Sequence, residues 1–200
     1  MALFDLSKTD PIDLKAKVEA LGICENVKSE TVLAGNVERK IQTIIGHPEE
    51  GKLISFWSNG DWSLWELIFY LLQFTGSGTE IYLATWSISE LSARKLNQWM
   101  LEGYISKLVG VVDFRTKNRH PAAFYLSKNT FSDIKLANCH AKVTVLKGKD
   151  YFITINGSAN WTENPRLESG TVFNSEKTAN QNIELIKQIV KRGEYKLEAY

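Results

Sequence analysis

An imidazole, an ammonium group and a short run of small polar residues lie close together in the last third of the chain: His140 and Lys142, then Gly157, Ser158 and Asn160. If residues 136–146 form a strand, side chains two apart share a face. His140, Lys142 and Thr144 then point one way, and Ala141, Val143 and Val145 the other. Such a pairing suits phosphoryl transfer: an imidazole titrates near neutral pH, and a fixed positive charge beside it holds phosphate oxygens. Ser158 and Asn160 can donate hydrogen bonds to non-bridging oxygens without adding charge, and Gly157 permits a tight turn. Residues 136–146 and 151–156 are joined by Gly148, Lys149 and Asp150, the spacing of a β-hairpin. Antiparallel pairing would bring Asn160 back beside His140. Neither segment means much alone, since a strand histidine is commonly structural and Gly-Ser-x-Asn is a common turn; order and spacing make them one site.

In that order, His-x-Lys at 140–142 and Gly-Ser-x-Asn at 157–160 resemble the signature of the phospholipase D superfamily, including its small bacterial endonucleases. The resemblance implies an α/β fold, a phospholipase D-like mixed β-sheet sandwiched by helices. It implies that His140 attacks phosphorus and becomes a phosphohistidine, that Lys142 and Asn160 bind the phosphate, and that Ser158 supports the same pocket. A downstream carboxylate orients the histidine in that family; Glu168 is the first candidate and Glu163 the second. One departure stands out: Lys147 occupies the place of the family's usual Asp, and Asp150 follows three residues later.

Cleaving a phosphodiester this way takes a nucleophile on one side of phosphorus and a general acid on the other. The chain carries one such motif. His47 and His120 each precede a proline and lack the Lys, Ser and Asn neighbours. The expectation is a two-fold homodimer in which the two His140 side chains meet across the axis. No metal or other cofactor is expected, because no Asp/Glu/His cluster shows ligand spacing.

The elements that must hold these groups are legible from periodicity and stop signals. Asp10 and Pro11 open a helix over 11–21, which Gly22 closes; Val37, Ile41, Ile44 and Ile45 repeat at helical spacing up to Gly46. Residues 1–46 read as an N-terminal extension of unknown role, and 47–200 as the catalytic domain. Within the latter, strands are expected over 53–57, 80–86, 107–114, 136–146, 151–156 and 170–173. Helices are expected over 62–74, from the Ser89 cap to about Glu102, over 121–128 and over 178–192. Alternating strands and helices argue for one mixed sheet between helical layers.

Composition narrows the function. With 44% apolar and 24% charged residues and a net charge of +1, the chain is an ordinary globular protein. The apolar stretch 64–74 is interrupted by Glu66 and Gln73 and is too short to span a bilayer. No secretory signal is apparent, and Cys24 and Cys139 make no disulfide framework, so a reduced, cytoplasmic protein without membrane association is expected. The charge is uneven. Residues 114–149 hold eight basic side chains and one acid, a net +7, which leaves −6 for the rest. Phe114, Phe124, Tyr125 and Phe131 interleave with Arg115, Lys117 and Arg119 in this stretch, a pattern suited to pairing phosphates and stacking bases. The leading expectation is a metal-independent nuclease acting on DNA or RNA, with Arg115, Lys117 and Arg119 binding substrate. A phospholipase or phosphatidyl transferase, and a nucleic-acid-binding module of the same fold without turnover, are the alternatives.

Overall fold

A computed structural model describes residues 22–25 (backbone only), 37–163 and 165–192. The helix expected over 11–21 lies outside the described residues. The elements run β1 (Gly22–Glu25), α1 (Val37–Ile45), β2 (Leu53–Asn59), α2 (Leu64–Thr75), β3 (Thr79–Thr85), α3 (Glu90–Leu101) and β4 (Ile105–Asp113). They continue α4 (Thr116–Arg119), α5 (Pro121–Thr130), β5 (Asp133–Ala137), β6 (Val143–Lys147), β7 (Phe152–Gly157), β8 (Leu167–Asn174) and α6 (Glu176–Arg192).

The strands form one eight-stranded sheet in the order β1-β2-β8-β7-β6-β3-β4-β5. β3, β4 and β5 are parallel; every other neighbouring pair is antiparallel, β6 with β3 included. Side-chain alternation sorts the sheet residues into two cores. Ile81, Leu83, Leu108, Val112, Leu146 and Ile153 face one side, against Ile41, Leu67, Leu71, Leu96 and Trp99 of the helices there. Tyr82, Ala84, Val109, Val111 and Val145 face the other, under Ala179, Ile183, Ile186 and Val190 of α6. The central strands are apolar on both faces because helices cover both. α1 and β1 come from the first 46 residues: Ile41 and Ile45 enter the larger core, and β1 pairs with β2.

Helix starts follow their sequence signals. Ser89 accepts the Ser92 N–H at 3.1 Å to cap α3, and the Ser63 N–H donates to Glu66 Oε2 at 2.7 Å ahead of α2. Gly110 on β4 is required by a close approach, since a Cβ there would lie 3.1 Å from Phe131 Cδ1 and 3.2 Å from Leu83 Cδ1.

One expected element is corrected. Residues 136–146 are not one strand. The chain leaves β5 at the sheet edge, passes the ends of β4 and β3, and re-enters as β6 between β3 and β7. Three strand spacings of about 4.8 Å amount to roughly 14 Å, and five residues extended reach roughly 20 Å, so residues 138–142 suffice to cross as an irregular strap. The hairpin itself is as expected but shorter: β6 and β7 pair from Val143↔Asn156 to Lys147↔Phe152.

Candidate active site

The topology gathers one edge of the sheet. β2, β3, β4, β5 and β7 end there, and β6 and β8 begin there. In spatial order the edge carries Ser58 and Glu168, which are register partners, then Ser158 after β7, Lys142 before β6, Trp86 after β3 and Asp113 at the end of β4.

The strap is pinned where it crosses each strand end. Passing β4, the Cys139 N–H donates to Asp113 Oδ2 at 3.1 Å. Passing β3, the exposed His140 ring lies 6.0 Å from the Trp86 ring, centroid to centroid. Reaching β7, the Lys142 carbonyl accepts the Gly157 N–H at 3.2 Å. A Cβ on Gly157 would lie 2.7 Å from the Ser169 carbonyl oxygen, so only glycine lets β7, β8 and the strap meet there. The Lys142 ammonium folds back to donate to the His140 carbonyl at 3.0 Å, and among the described residues it pairs with no carboxylate. The Lys142 ammonium is thus held on the His140 backbone. The two residues reach this arrangement on an irregular strap; of the three residues expected to share a strand face, Thr144 alone lies on β6.

Asp113 holds the strap near its start. It is fully buried and accepts from Arg115 three times, through the backbone N–H at 3.1 Å, Nε at 2.6 Å and Nη2 at 3.0 Å. Burial alone would raise this carboxyl. The hydrogen bonds from Arg115 and Cys139 outweigh that and hold it below the usual carboxylate range. Burial pushes the Cys139 thiol up, so it is a poor thiolate despite its place beside His140.

The second motif leads away from the histidine. The Ser158 hydroxyl donates to Glu168 Oε2 and its oxygen accepts the Ser169 N–H at 3.0 Å. Asn160 lines a narrow cleft with Ser58, Trp62, Leu67 and Glu168, on the α2 side of the edge. Its Oδ1 is buried and takes no hydrogen bond among the described residues, so the carboxamide is not committed to the scaffold. Glu168 is two strands from β6, roughly 10 Å at about 4.8 Å per strand. It contacts Ser158, and the His140 ring makes no hydrogen bond to another described residue. Glu163 braces the start of α3: its Oε1 accepts from Ser89 Oγ at 2.8 Å and Ser92 Oγ at 3.1 Å. Trp161, next to Asn160, is buried and donates its Nε1–H to Thr144 Oγ1 at 3.1 Å, which locks the segment onto β6.

Charge adjacency in sequence is only partly adjacency in space. Arg115, Lys117 and Arg119 flank the site edge on and beside α4, and both arginines lie over Trp86, at 5.8 Å and 5.7 Å. Lys147 ends β6 at the opposite edge, where it pairs with Glu80 at 3.9 Å, and Lys149 and Asp150 occupy the exposed turn beyond it. Phe124 and Phe131 are buried, which removes them from base stacking; Phe114 and Tyr125 are 52% and 56% exposed. Sequence reasoning missed Trp86 and Asp113. Both end parallel strands, the place where ligands collect in α/β sheets. Among the described residues no group of His, Cys, Asp and Glu is placed to hold a metal ion, and no helix is long and apolar enough to cross a membrane.

No family model and no curated protein sequence matches the chain. Among solved structures it is similar to the polyphosphate kinase of Porphyromonas gingivalis, with 13% identity and a TM-score of 0.51, over 84% of this chain and 29% of that one. It also aligns with a mutant of yeast tyrosyl-DNA phosphodiesterase at 13% identity and a TM-score of 0.34, over 51% of this chain and 27% of that one, a likeness too slight to carry an argument. The chain spans less than a third of the polyphosphate kinase it matches. At such identity the likeness shows the fold alone: a phospholipase D-like mixed sheet sandwiched by helices.

Proposed function

We propose that the chain is a metal-independent phosphodiesterase of the phospholipase D superfamily, and that its substrate is DNA or RNA. What supports this reading is the pinned strap, which holds His140 exposed at the sheet edge, with the Lys142 ammonium on its carbonyl and paired with no carboxylate among the described residues. In the reaction, an imidazole nitrogen of His140 bonds to phosphorus as the bond from phosphorus to the leaving oxygen breaks. The leaving oxygen takes its proton from the partner subunit's His140. Water then attacks the phosphohistidine, gives a proton to the partner's His140, and frees His140. Lys142 neutralises non-bridging oxygens in both steps, the Asn160 carboxamide donates to the phosphate, and Ser158, its proton engaged by Glu168, supports the pocket. Glu168 acts through Ser158 as a positioning residue. Arg115, Lys117 and Arg119 line the approach of a polyanion. The catalytic unit comprises residues 47–200 and works as a cytoplasmic homodimer, with α1 and β1 of the preceding residues completing its core and sheet.

Plasmid, single-stranded DNA and RNA offered in EDTA test this reading. Cleavage that survives EDTA and disappears in His140→Ala is the expected result. Cleavage abolished by EDTA, or retained in His140→Ala, refutes it. Binding without cleavage, unchanged by His140→Ala, returns the non-catalytic module.

An apolar cavity of about 330 Å³ opens beside His140, lined by Ala84, Val111, Ala137, Leu185 and Ile189, with Arg192 among its lining residues. It favours a second reading, a phospholipase or phosphatidyl transferase that seats an acyl chain there. Release of choline from phosphatidylcholine vesicles, lost in His140→Ala, would establish that reading over the first.

A further inference from the structure

The indole nearest the proposed nucleophile has no role in that mechanism. Trp86 follows β3 directly, is half-buried, and its ring lies 6.0 Å from that of His140. Its backbone is held on both sides: the Thr116 hydroxyl donates to the Trp86 carbonyl at 3.3 Å, and the Thr85 hydroxyl donates to the Ser87 carbonyl at 2.9 Å. The backbone that carries the ring is thus set by two strand-end contacts. Two guanidinium groups lie over it and differ in kind. Arg115 is bound through Nε and Nη2 to the buried Asp113 and cannot leave without stranding that carboxylate. Arg119 is exposed, ends the four-residue α4, and pairs with no carboxylate among the described residues. Next to them Phe114, 52% exposed, lies 5.4 Å from the Arg115 guanidinium.

We infer that Trp86 is a stacking platform for an unpaired nucleobase flanking the scissile phosphate, so that the substrate is single-stranded nucleic acid. Arg119 covers the indole while the site is empty and turns to a backbone phosphate as the base takes its place; Phe114 extends the platform by one ring. Every base has a π-face, so such a platform is indifferent to sequence, but a base in a duplex is already stacked between its neighbours and not free to reach it. A ring this close to the attacking imidazole can be met only by a base released from its helix. The inference rests on the phosphodiesterase reading for its substrate class, yet it concerns binding and can be measured apart from turnover.

The test uses the full chain carrying His140→Ala, so that binding is read without cleavage, and a labelled single-stranded oligonucleotide followed by fluorescence anisotropy. The comparison ligands are the same strand annealed to its complement and a strand of equal length built of abasic residues. The base-bearing single strand is expected to bind most tightly. Trp86→Ala should weaken it roughly five- to a hundred-fold, the range for one base–aromatic stack, with little change for the abasic strand. Trp86→Phe should restore most of the affinity and shows that the platform, not the fold, was lost. Equal affinity for base-bearing and abasic strands, or an equal loss on both in Trp86→Ala, overturns the inference. Cleavage by the native protein is measured alongside. Cleavage lost in His140→Ala without any base preference leaves the enzyme and removes the platform, whereas a base preference without cleavage leaves the platform and removes the enzyme.

Discussion

Replacing Asp113 with alanine tests how the strap is held. The carboxylate is fully buried and accepts four hydrogen bonds, one from the Cys139 N–H and three from Arg115. Stranding a buried N–H costs about 1–3 kcal/mol. The ion pair adds less than its geometry suggests, because the Arg115 side chain is 40% exposed and solvent screens it to about 1 kcal/mol or below. Asp113→Ala should therefore lower the unfolding free energy by about 2–4 kcal/mol in urea at neutral pH. Asp113→Asn, which keeps an acceptor for Cys139, should cost about half as much. Because the folded carboxyl sits below its unfolded value, its contribution is complete above the unfolded pKa of about 4 and is lost as pH falls through the folded one. The gap between the native protein and Asp113→Asn should narrow from about pH 4 downward. Since the strap carries His140, phosphodiester cleavage should fall at least ten-fold in Asp113→Ala, with KM changing less than kcat. A loss under about 1 kcal/mol with cleavage intact would show that Asp113 does not hold the strap.

Other substitutions probe the same edge. Gly157→Ala drives a Cβ to within 2.7 Å of the Ser169 oxygen and should cost about 1–3 kcal/mol, read by thermal denaturation together with a drop in cleavage. Trp161→Phe removes the donor to the buried Thr144 hydroxyl and should cost about 1–2 kcal/mol; a neutral outcome would mean that Trp161 is held by packing alone. Ile41→Ala, at a site 1% exposed, should cost about 2–5 kcal/mol if α1 shares its core with the rest of the chain, and nearly nothing if it unfolds separately. Replacing Lys117 and Arg119 together with alanine should reduce the slope of log affinity against log salt by roughly one per charge removed.

How far the sequence reveals this arrangement depends on which signals are local. Ser89 before α3, Gly46 after α1 and the glycines at 76 and 78 announce their boundaries by turn and cap chemistry that acts within a few residues. The hairpin around Gly148 is legible for the same reason. The split of 136–146 into β5 and β6 is not, because Leu136 and Val145 alternate with polar neighbours as they would in one strand, and the switch is imposed by which strands stand open to pair. His140 and Lys142 are legible as residues, but not their arrangement: in place of two side chains on a pleat, the lysine folds back on a strap to the histidine's carbonyl. The placement of Asn160 and Glu168 in a cleft on the α2 side follows from Trp161 plugging into the core, a contact seventeen residues long-range that no short motif encodes. Asp113 had a readable sign, since it is an acid closing the run Val-Gly-Val-Val at the end of an apolar strand. Such a residue is either solvated or has a partner worth finding.

The bridge from β5 to β6 is tied down twice, and its two anchors belong to different halves of the sheet. The parallel half supplies Asp113, and the antiparallel half supplies Gly157. Histidine geometry consequently depends on both halves, because neither alone supplies both anchors. A single proteolytic nick between residues 138 and 142 would leave both cores in place yet part the two anchors of the segment that carries His140, so under the proposed function cleavage should be lost on nicking while the fold persists.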